Sequence, residues 1–268
     1  MSSVITVLKE QINSFYLIRR LSLFELKIAN NNNYLGLLWE LLNPAIQITM
    51  YWFVFGMGIR GGEDVDGIPY LQWMLAGVTI WFFINQATLD ASKSIYTRLN
   101  IIAKMNFPLS VVPSYVIFSK FYSHLVLLGL ISIIFQFTGF QISVYYLQLP
   151  YFLFATISLI FATSLITSTL ATIVRDVQMI VQSVMRILFF VSPILWTTER
   201  LGERIQEAMK INPLYYIAEG YRAAFLRNEW YMLENPGYTL YFWGLILFLL
   251  TIGSMLHVRF RSRFVDFI

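Results

Sequence analysis

Asp64-Val65-Asp66 sets two carboxylates two residues apart, a spacing that can hold a divalent ion and, through it, a nucleotide sugar. Lys120 and His124 lie four residues apart and so share one helical face. Asp90 is the candidate partner for that pair if it is buried, although Lys120 lies where its chain can snorkel toward lipid headgroups. Arg186 stands alone in the middle of the apolar run 177–196. A guanidinium at that depth needs water, a counter-charge or a passing phosphate. Arg19, Arg20 and Lys27 form a basic set near the start of the chain, suited either to one phosphorylated ligand or to any anionic lipid. Arg175-Asp176 is an adjacent ion pair that reads as an interfacial turn able to dock a partner. The sequence has no cysteine and only two histidines, so thiolate chemistry and a histidine metal cluster are both excluded. No G-x-x-x-x-G-K-[ST] motif occurs, so the chain does not cradle nucleotide phosphates by itself. No hydrolase elbow and no zinc helix occurs.

The elements that position these residues are apolar. The chain has 268 residues, of which 57% are hydrophobic and only 13% charged; a soluble domain is nearer a quarter charged. The net charge of +4 is modest and gives no reason to expect nucleic acid. Six stretches, residues 41–59, 70–91, 113–137, 150–174, 177–196 and 238–257, are about long enough to cross a bilayer as helices. The fold class expected is an all-α polytopic membrane protein. Residues 1–33 form a separate basic stretch in which Ile5, Leu8, Ile12, Phe15, Leu21, Phe24 and Ile28 recur at near-helical spacing. That pattern describes an amphipathic helix lying in the membrane surface, and the absence of an uninterrupted apolar core argues against a cleaved signal peptide. The Asn30–Asn33 run should end it. Residues 34–268 then form the six-helix domain.

Orientation follows from lysine and arginine in the short loops. With the N-terminus inside, the basic residues of 1–33, Lys93, Arg98, Lys104, Arg175, Arg259, Arg261 and Arg263 are all cytoplasmic, and the first outer loop holds only Arg60 against Glu63, Asp64 and Asp66. Both termini are therefore expected in the cytoplasm of a cell whose outer membrane face meets the first and second outer loops. On that side nucleotide sugars are absent, so Asp64 and Asp66 read as a solvated acidic loop. Residues 197–235 start and end outside, contain Leu201, Ile205 and Met209 on one helical face, and break at Asn212-Pro213. They read as two short helices that dip in and return. Ser164, Ser168 and Thr172 recur every four residues and permit close helix contact. Tyr51, Trp52, Phe53, Phe55, Phe189 and Phe190 lie deeper than an interfacial aromatic belt requires. Their faces would suit a sugar or polyol chain sliding past, and would equally suit core or lipid packing.

YLGLLWELLNPAIQ at 34–47, NIIAKMNFPLSVVPS at 100–114, RDVQMIVQSVMRILFFVSPILW at 175–196 and NPLYYIAEGYRAAFL at 212–226 resemble the permease subunits of ABC-2-type polysaccharide exporters over essentially the whole chain. YWFVFGMGIRGG at 51–62 and KMNFPLSVVP at 104–113 look most like wall teichoic acid translocation permeases of Gram-positive bacteria. The resemblance implies a homodimer joined to two ABC ATPase subunits, with ATP and Mg held by the ATPase and no cofactor in this chain. It implies export of a polymer linked to undecaprenyl diphosphate across the cytoplasmic membrane. It places Tyr34, Leu35 and Gly36 at the cytoplasmic gate, 94–106 as the segment coupling to the ATPase through Arg98, Asn100, Lys104 and Asn106, and 198–228 at the outer gate. Arg19, Arg20 and Lys27 would receive the diphosphate, and Tyr51, Trp52, Phe55, Arg186, Phe189 and Phe190 would face the polymer. The competing expectation is a membrane-embedded glycosyl- or acyltransferase acting on lipid-linked sugars, which needs a carboxylate or histidine facing a cavity.

Overall fold

The computed structural model describes residues 2–31, 34–102, 107–198 and 201–267. It is helical, and among the described residues the only strand-like pairing is the isolated bridge between Val65 and Ile68. The helices run α1 (Ser2–Asn13), α2 (Phe15–Asn30), α3 (Trp39–Tyr51), α4 (Tyr70–Ser92), α5 (Ser94–Ile102), α6 (Val111–Phe137), α7 (Leu149–Ile173), α8 (Val177–Val191), α9 (Glu203–Met209), α10 (Pro213–Arg222), α11 (Tyr231–Glu234) and α12 (Pro236–Phe260). Among the described residues three stretches are long and apolar enough to cross a membrane: Val111–Phe137, Val144–Ile173 and Pro236–Phe264.

The other three expected crossings take different forms. Helix α3 contains Pro44 in its interior, which removes one rung of the hydrogen-bond ladder, and it passes into a π-helix over Trp52–Ile59. Helix α4 is 23 residues long and is the most enclosed, with most of its side chains from Tyr70 to Ser92 buried. Helix α8 has 15 residues, about 22 Å of rise against a hydrocarbon core of about 30 Å. It ends at Val191 rather than at residue 196, because Ser192 turns to an extended conformation (ψ 143°) ahead of Pro193.

The main core joins α4, α6, α7, α8, α10 and α12. Helices α7 and α12 come close where Gly253 lies over Leu165; a Cβ on that glycine would sit 2.9 Å from the Leu165 Cβ. Ser164, Ser168 and Thr172 are buried in α7 as their spacing suggests, while the contact with Gly253 is made by the adjoining Ala162, Leu165 and Ile166.

A second core sits at the end of the bundle that carries α5. It gathers Ile18 from α2, Ile95 and Leu99 from α5, Val111, Val112, Tyr115 and Val116 from α6, and Phe264 from the turn after α12. The N-terminal segment is therefore not a single free helix on a surface. It breaks at Ser14 (φ −102°, ψ 11°), and both pieces are fastened to the bundle. Glu10 accepts a charged hydrogen bond from Arg261 at 2.5 Å, and Gln11 bridges to Ser110 and Ser114. Ile5, Leu8, Ile12, Phe15, Phe24 and Ile28 remain exposed, so the amphipathic stripe is real, with an apolar face left outward.

Of the segment read as two short outer helices, α9 is largely exposed but α10 is core. Leu214, Tyr216, Ile217 and Tyr221 are buried, and only Met209 of the Leu201–Ile205–Met209 stripe is. Asn212 caps α10 by accepting from the Leu214 amide at 3.0 Å, with Pro213 at the first turn, where its missing N–H costs nothing.

Candidate functional site

Helices α3, α4 and α8 enclose a cavity of about 620 Å³. Trp39, Glu40, Asn43 and Gln47 reach it from α3, at the spacing of one helical face. Phe82, Asn85, Gln86 and Asp90 do the same from α4, Lys93 from just past its end, and Gln178 and Gln182 from α8. One amide is anchored: Gln178 accepts from Ser92 Oγ at 2.5 Å and donates to the Leu89 carbonyl at 3.3 Å. The side chains of Asn43, Gln47, Asn85, Gln86 and Gln182 line the cavity without a hydrogen-bond partner among the described residues. Asn43, Gln86 and Gln182 are exposed and Gln47 and Asn85 half-buried, so the five amides meet water in this open cavity and are available to a polar ligand. Each carboxamide both donates and accepts, as hydroxyl groups on a sugar or polyol require.

At one end of the cavity Asp90 is shared by two cations. Lys93 lies 2.8 Å from Oδ1 and Lys120 3.1 Å from Oδ2. The expected Lys120–Asp90 partnership is thus formed. His124 faces elsewhere, fully enclosed against Phe83 at a 5.0 Å centroid distance, with Nε2 3.2 Å from the Tyr221 hydroxyl.

A second polar cluster lies at the opposite end of α4. Arg222 is completely buried, 2.5 Å from Glu219 Oε1. Its guanidinium sits 3.5 Å over the Trp73 ring and donates to the Ile194 carbonyl at 3.1 Å. Glu219 is also bridged by Arg227 at 2.8 Å. Gly77 makes room, since a Cβ there would meet Arg222 Nη2 at 2.7 Å. Sequence reasoning missed this cluster, although Glu219 and Arg222 lie three apart on one face.

Other residues singled out from the sequence are spread more widely. Arg19, Arg20 and Lys27 are exposed on α2, with Arg20 over the Tyr16 ring at 5.7 Å, and none lines the amide cavity. Tyr34 and Leu35 are exposed, and Gly36 takes φ +51°, a left-handed turn suited to glycine. Arg186 is exposed on α8; it continues the Gln178–Gln182 row at the same four-residue spacing and has no ion-pair partner among the described residues. Phe189 is core, packed between Tyr51 at 5.4 Å and Trp81 at 5.1 Å, and so ties α3 to α4 and α8. Phe190 and Phe53 are exposed, while Trp52 and Phe55 are half-buried against the core. Arg98 is paired with Glu25 of α2 and lies over Tyr115. Asn100 lies in α5; Lys104 and Asn106 lie outside the described residues. Asp64 and Asp66 are exposed in a turn with Asp66 at φ 50°, and no group of three or more His, Cys, Asp or Glu assembles among the described residues. The amides could have been found by scanning apolar helices for Asn and Gln at three- and four-residue spacing.

Among the described residues α6, α7 and α12 are long and apolar enough to cross a bilayer, and beside them α3, α4 and α8 line an open polar cavity; together they define a polytopic integral membrane protein with a polar binding face. The sequence matches the ABC-2 type transporter family over residues 16–226, and the chain belongs to that family. It is similar to an O-antigen export system permease protein RfbA of Klebsiella pneumoniae, 24% identical over 245 residues that cover 90% of this chain and 91% of the relative. A second such Klebsiella pneumoniae protein is 25% identical over 246 residues, with coverage of 90% and 91%. The RfbA permease of Myxococcus xanthus is 22% identical over 207 residues, covering 76% of this chain and 78% of its own.

Proposed function

We propose that this chain is the membrane-spanning subunit of an ATP-driven exporter of a polysaccharide carried on undecaprenyl diphosphate. The observation that carries the reading is the set of carboxamides that α3, α4 and α8 turn toward one open cavity, with no hydrogen-bond partner among the described residues. Such groups suit a hydroxyl-rich chain that makes and breaks hydrogen bonds as it moves. The O-antigen export permeases among the relatives support the same substrate class. Within that class, the likeness of 51–62 and 104–113 to teichoic acid permeases favours a wall teichoic acid in a Gram-positive host.

ATP and Mg are held by a partner ATPase in this reading, two copies of each subunit forming the complex, with segment 94–106 as the ATPase contact. Ile46, Met50 and Phe53 on one side, and Val184, Ile187 and Phe190 of α8, are exposed apolar residues and in this reading are faces a second copy would cover. Six crossings with both termini in the cytoplasm place the Asp90 end inward. A transferase acting on lipid-linked sugars is less well supported, because the similar proteins are export permeases and, of the two carboxylates on the cavity wall, Asp90 is held by two lysines.

Depleting the protein in its host tests the assignment. Surface polymer should fall while its lipid-linked precursor accumulates inside. Unchanged surface polymer refutes the assignment, and loss of polymer without accumulation favours the transferase.

A further inference from the structure

We propose that a groove beside the N-terminal helices holds one acyl chain of an anionic glycerophospholipid, as a resident lipid and not as cargo. The groove has a volume of about 390 Å³. Leu8 and Ile12 of α1 and Phe15 of α2 form one side, and the break at Ser14 lets both helices present apolar residues to it. The other walls are α6, α7 and α12, the stretches long and apolar enough to cross a membrane among the described residues. From Phe154 to Phe161 on α7, and from Trp243 to Leu250 on α12, the groove extends about 10 Å at 1.5 Å per residue. It is thus elongated along membrane-crossing helices, the direction an acyl chain takes.

The wall decides the chemistry of the occupant. Among the described residues no charged side chain lines the groove, and its four polar ones, Gln11, Ser114, Ser158 and Trp243, are already bonded. Ser114 Oγ donates to Gln11 Oε1 at 2.6 Å, and Gln11 Nε2 donates to the Ser110 carbonyl at 3.1 Å. Ser158 Oγ donates to the Phe154 carbonyl at 2.8 Å, and Trp243 Nε1 to the Tyr151 hydroxyl at 2.9 Å. A hydroxyl-rich or ionic ligand would lose water there and gain no partner, so the groove suits hydrocarbon alone. Lipid tails are as apolar as the wall, so selection among lipids falls to the headgroup. Helices α1 and α2 carry Lys9, Arg19, Arg20 and Lys27 against Glu10 and Glu25. Both acids are paired with cations from elsewhere, Glu10 with Arg261 and Glu25 with Arg98, which leaves these helices positive and suited to an anionic headgroup. Arg19 is exposed, has no ion-pair partner among the described residues, and lies one turn beyond Phe15 on the same face of α2. The groove shares no lining residue with the amide cavity, so a lipid held here stands apart from a carrier that delivers polymer to that cavity. It braces α1 and α2 against the bundle, and with them Glu25, the partner of Arg98.

The test uses the full-length protein in phosphatidylcholine nanodiscs doped with a phosphatidylglycerol that carries a diazirine on its acyl chain. After irradiation, labelled peptides are mapped by mass spectrometry. Label should concentrate on residues 157–161 and 246–250. Arg19→Gln should lower it about fivefold, the value of one basic residue at a membrane surface, with an unchanged thermal transition. The same diazirine on phosphatidylcholine should label these segments weakly and be indifferent to Arg19→Gln. Ser158→Phe and, separately, Leu247→Trp fill the groove from α7 and from α12, and each should remove this label while sparing label elsewhere. Label that persists in both filled variants overturns the proposal, as does equal labelling by the two lipids. Absence of label on both segments in the wild type also overturns it and gives this face to a second copy of the chain. Displacement of the label by an equal amount of an isoprenyl diphosphate assigns the groove to a carrier lipid and overturns the resident one; survival of the label supports it. The inference needs only the membrane setting, so none of these outcomes decides the saccharide reading of the amide cavity.

Discussion

Glu219 and Arg222 form a buried pair whose two members should not be equally costly to remove. Arg222 is completely enclosed and has Glu219 as its carboxylate partner at 2.5 Å. Glu219 has a second cation, Arg227, at 2.8 Å. Breaking a buried pair costs about 3–5 kcal/mol because a charge is left uncompensated. Arg222→Met leaves Glu219 with Arg227 and belongs at the low end, about 3 kcal/mol. Glu219→Gln leaves Arg222 with the Ile194 carbonyl and the Trp73 face, and belongs at the high end, about 5 kcal/mol. For a chain of this size those losses lower the unfolding midpoint by roughly 6–12 °C and 10–20 °C. The assay is thermal unfolding in detergent followed by tryptophan fluorescence, with Trp73 as the nearest reporter. Adding Arg222→Met to Glu219→Gln should recover part of the loss, since the enclosed charge is then gone. An Arg222→Met protein less stable than Glu219→Gln refutes the reasoning, as does a double variant at the sum of the two.

Three further outcomes are expected. Changing Gln47, Asn85 and Gln182 together to leucine should cut polymer export at least tenfold while the unfolding midpoint holds or rises, because free amides contribute nothing to folding; cell-surface polymer and thermal scans measure both. Glu25→Arg or Arg98→Glu alone should uncouple ATP hydrolysis from export in reconstituted vesicles, and the swapped pair should restore much of it, since Arg98 is paired with Glu25; failure of the swap to rescue either single change removes the pair from the transmission path. Gly253→Leu should destabilise by about 1–3 kcal/mol through overpacking, read as a lower unfolding midpoint, because even a Cβ lies 2.9 Å from Leu165 Cβ.

The helical class and the break at Asn212-Pro213 were legible because periodicity and capping are local. For Lys120 the sequence left two readings, snorkelling to the headgroups or pairing with Asp90 if buried, and the enclosed side chain 3.1 Å from Asp90 decides for the pair. The amide cavity was not legible. Its members come from three helices between Asn43 and Gln182, and although the pairs Asn43–Gln47 and Gln178–Gln182 are visible in the sequence, no local pattern says that the three helices face one another. Glu219 and Arg222 lie three apart in a short helical run, a spacing that on an exposed helix has no special meaning. Their burial depends on Gly77 and on the Ile194 carbonyl, which no local pattern reveals. Phe189 had two readings from its sequence position, and Trp81 with Tyr51 decided for the core. Arg98 was expected to face a partner; its pairing with Glu25 follows from the second core, which brings α2 against α5.

Helix α4 gives these separate features a common mechanical element. Its first turn carries Trp73, held under Arg222, and its last turn carries Asp90, held by Lys93 and Lys120. Between them Asn85 and Gln86 face the amide cavity. The helix has 23 residues, about 34 Å of unbroken rise, and only Lys93 separates it from α5. A well-packed interior transmits displacement instead of absorbing it. A push on α5 therefore reaches the cavity wall and the Arg222 cluster through one rod. The same push reaches α2 through Glu25 and the second core. The segment proposed to meet the ATPase is thus continuous with the helix that bears both the amide cavity and the Trp73 side of the Arg222 cluster, and the Glu25–Arg98 swap probes its separate link to α2.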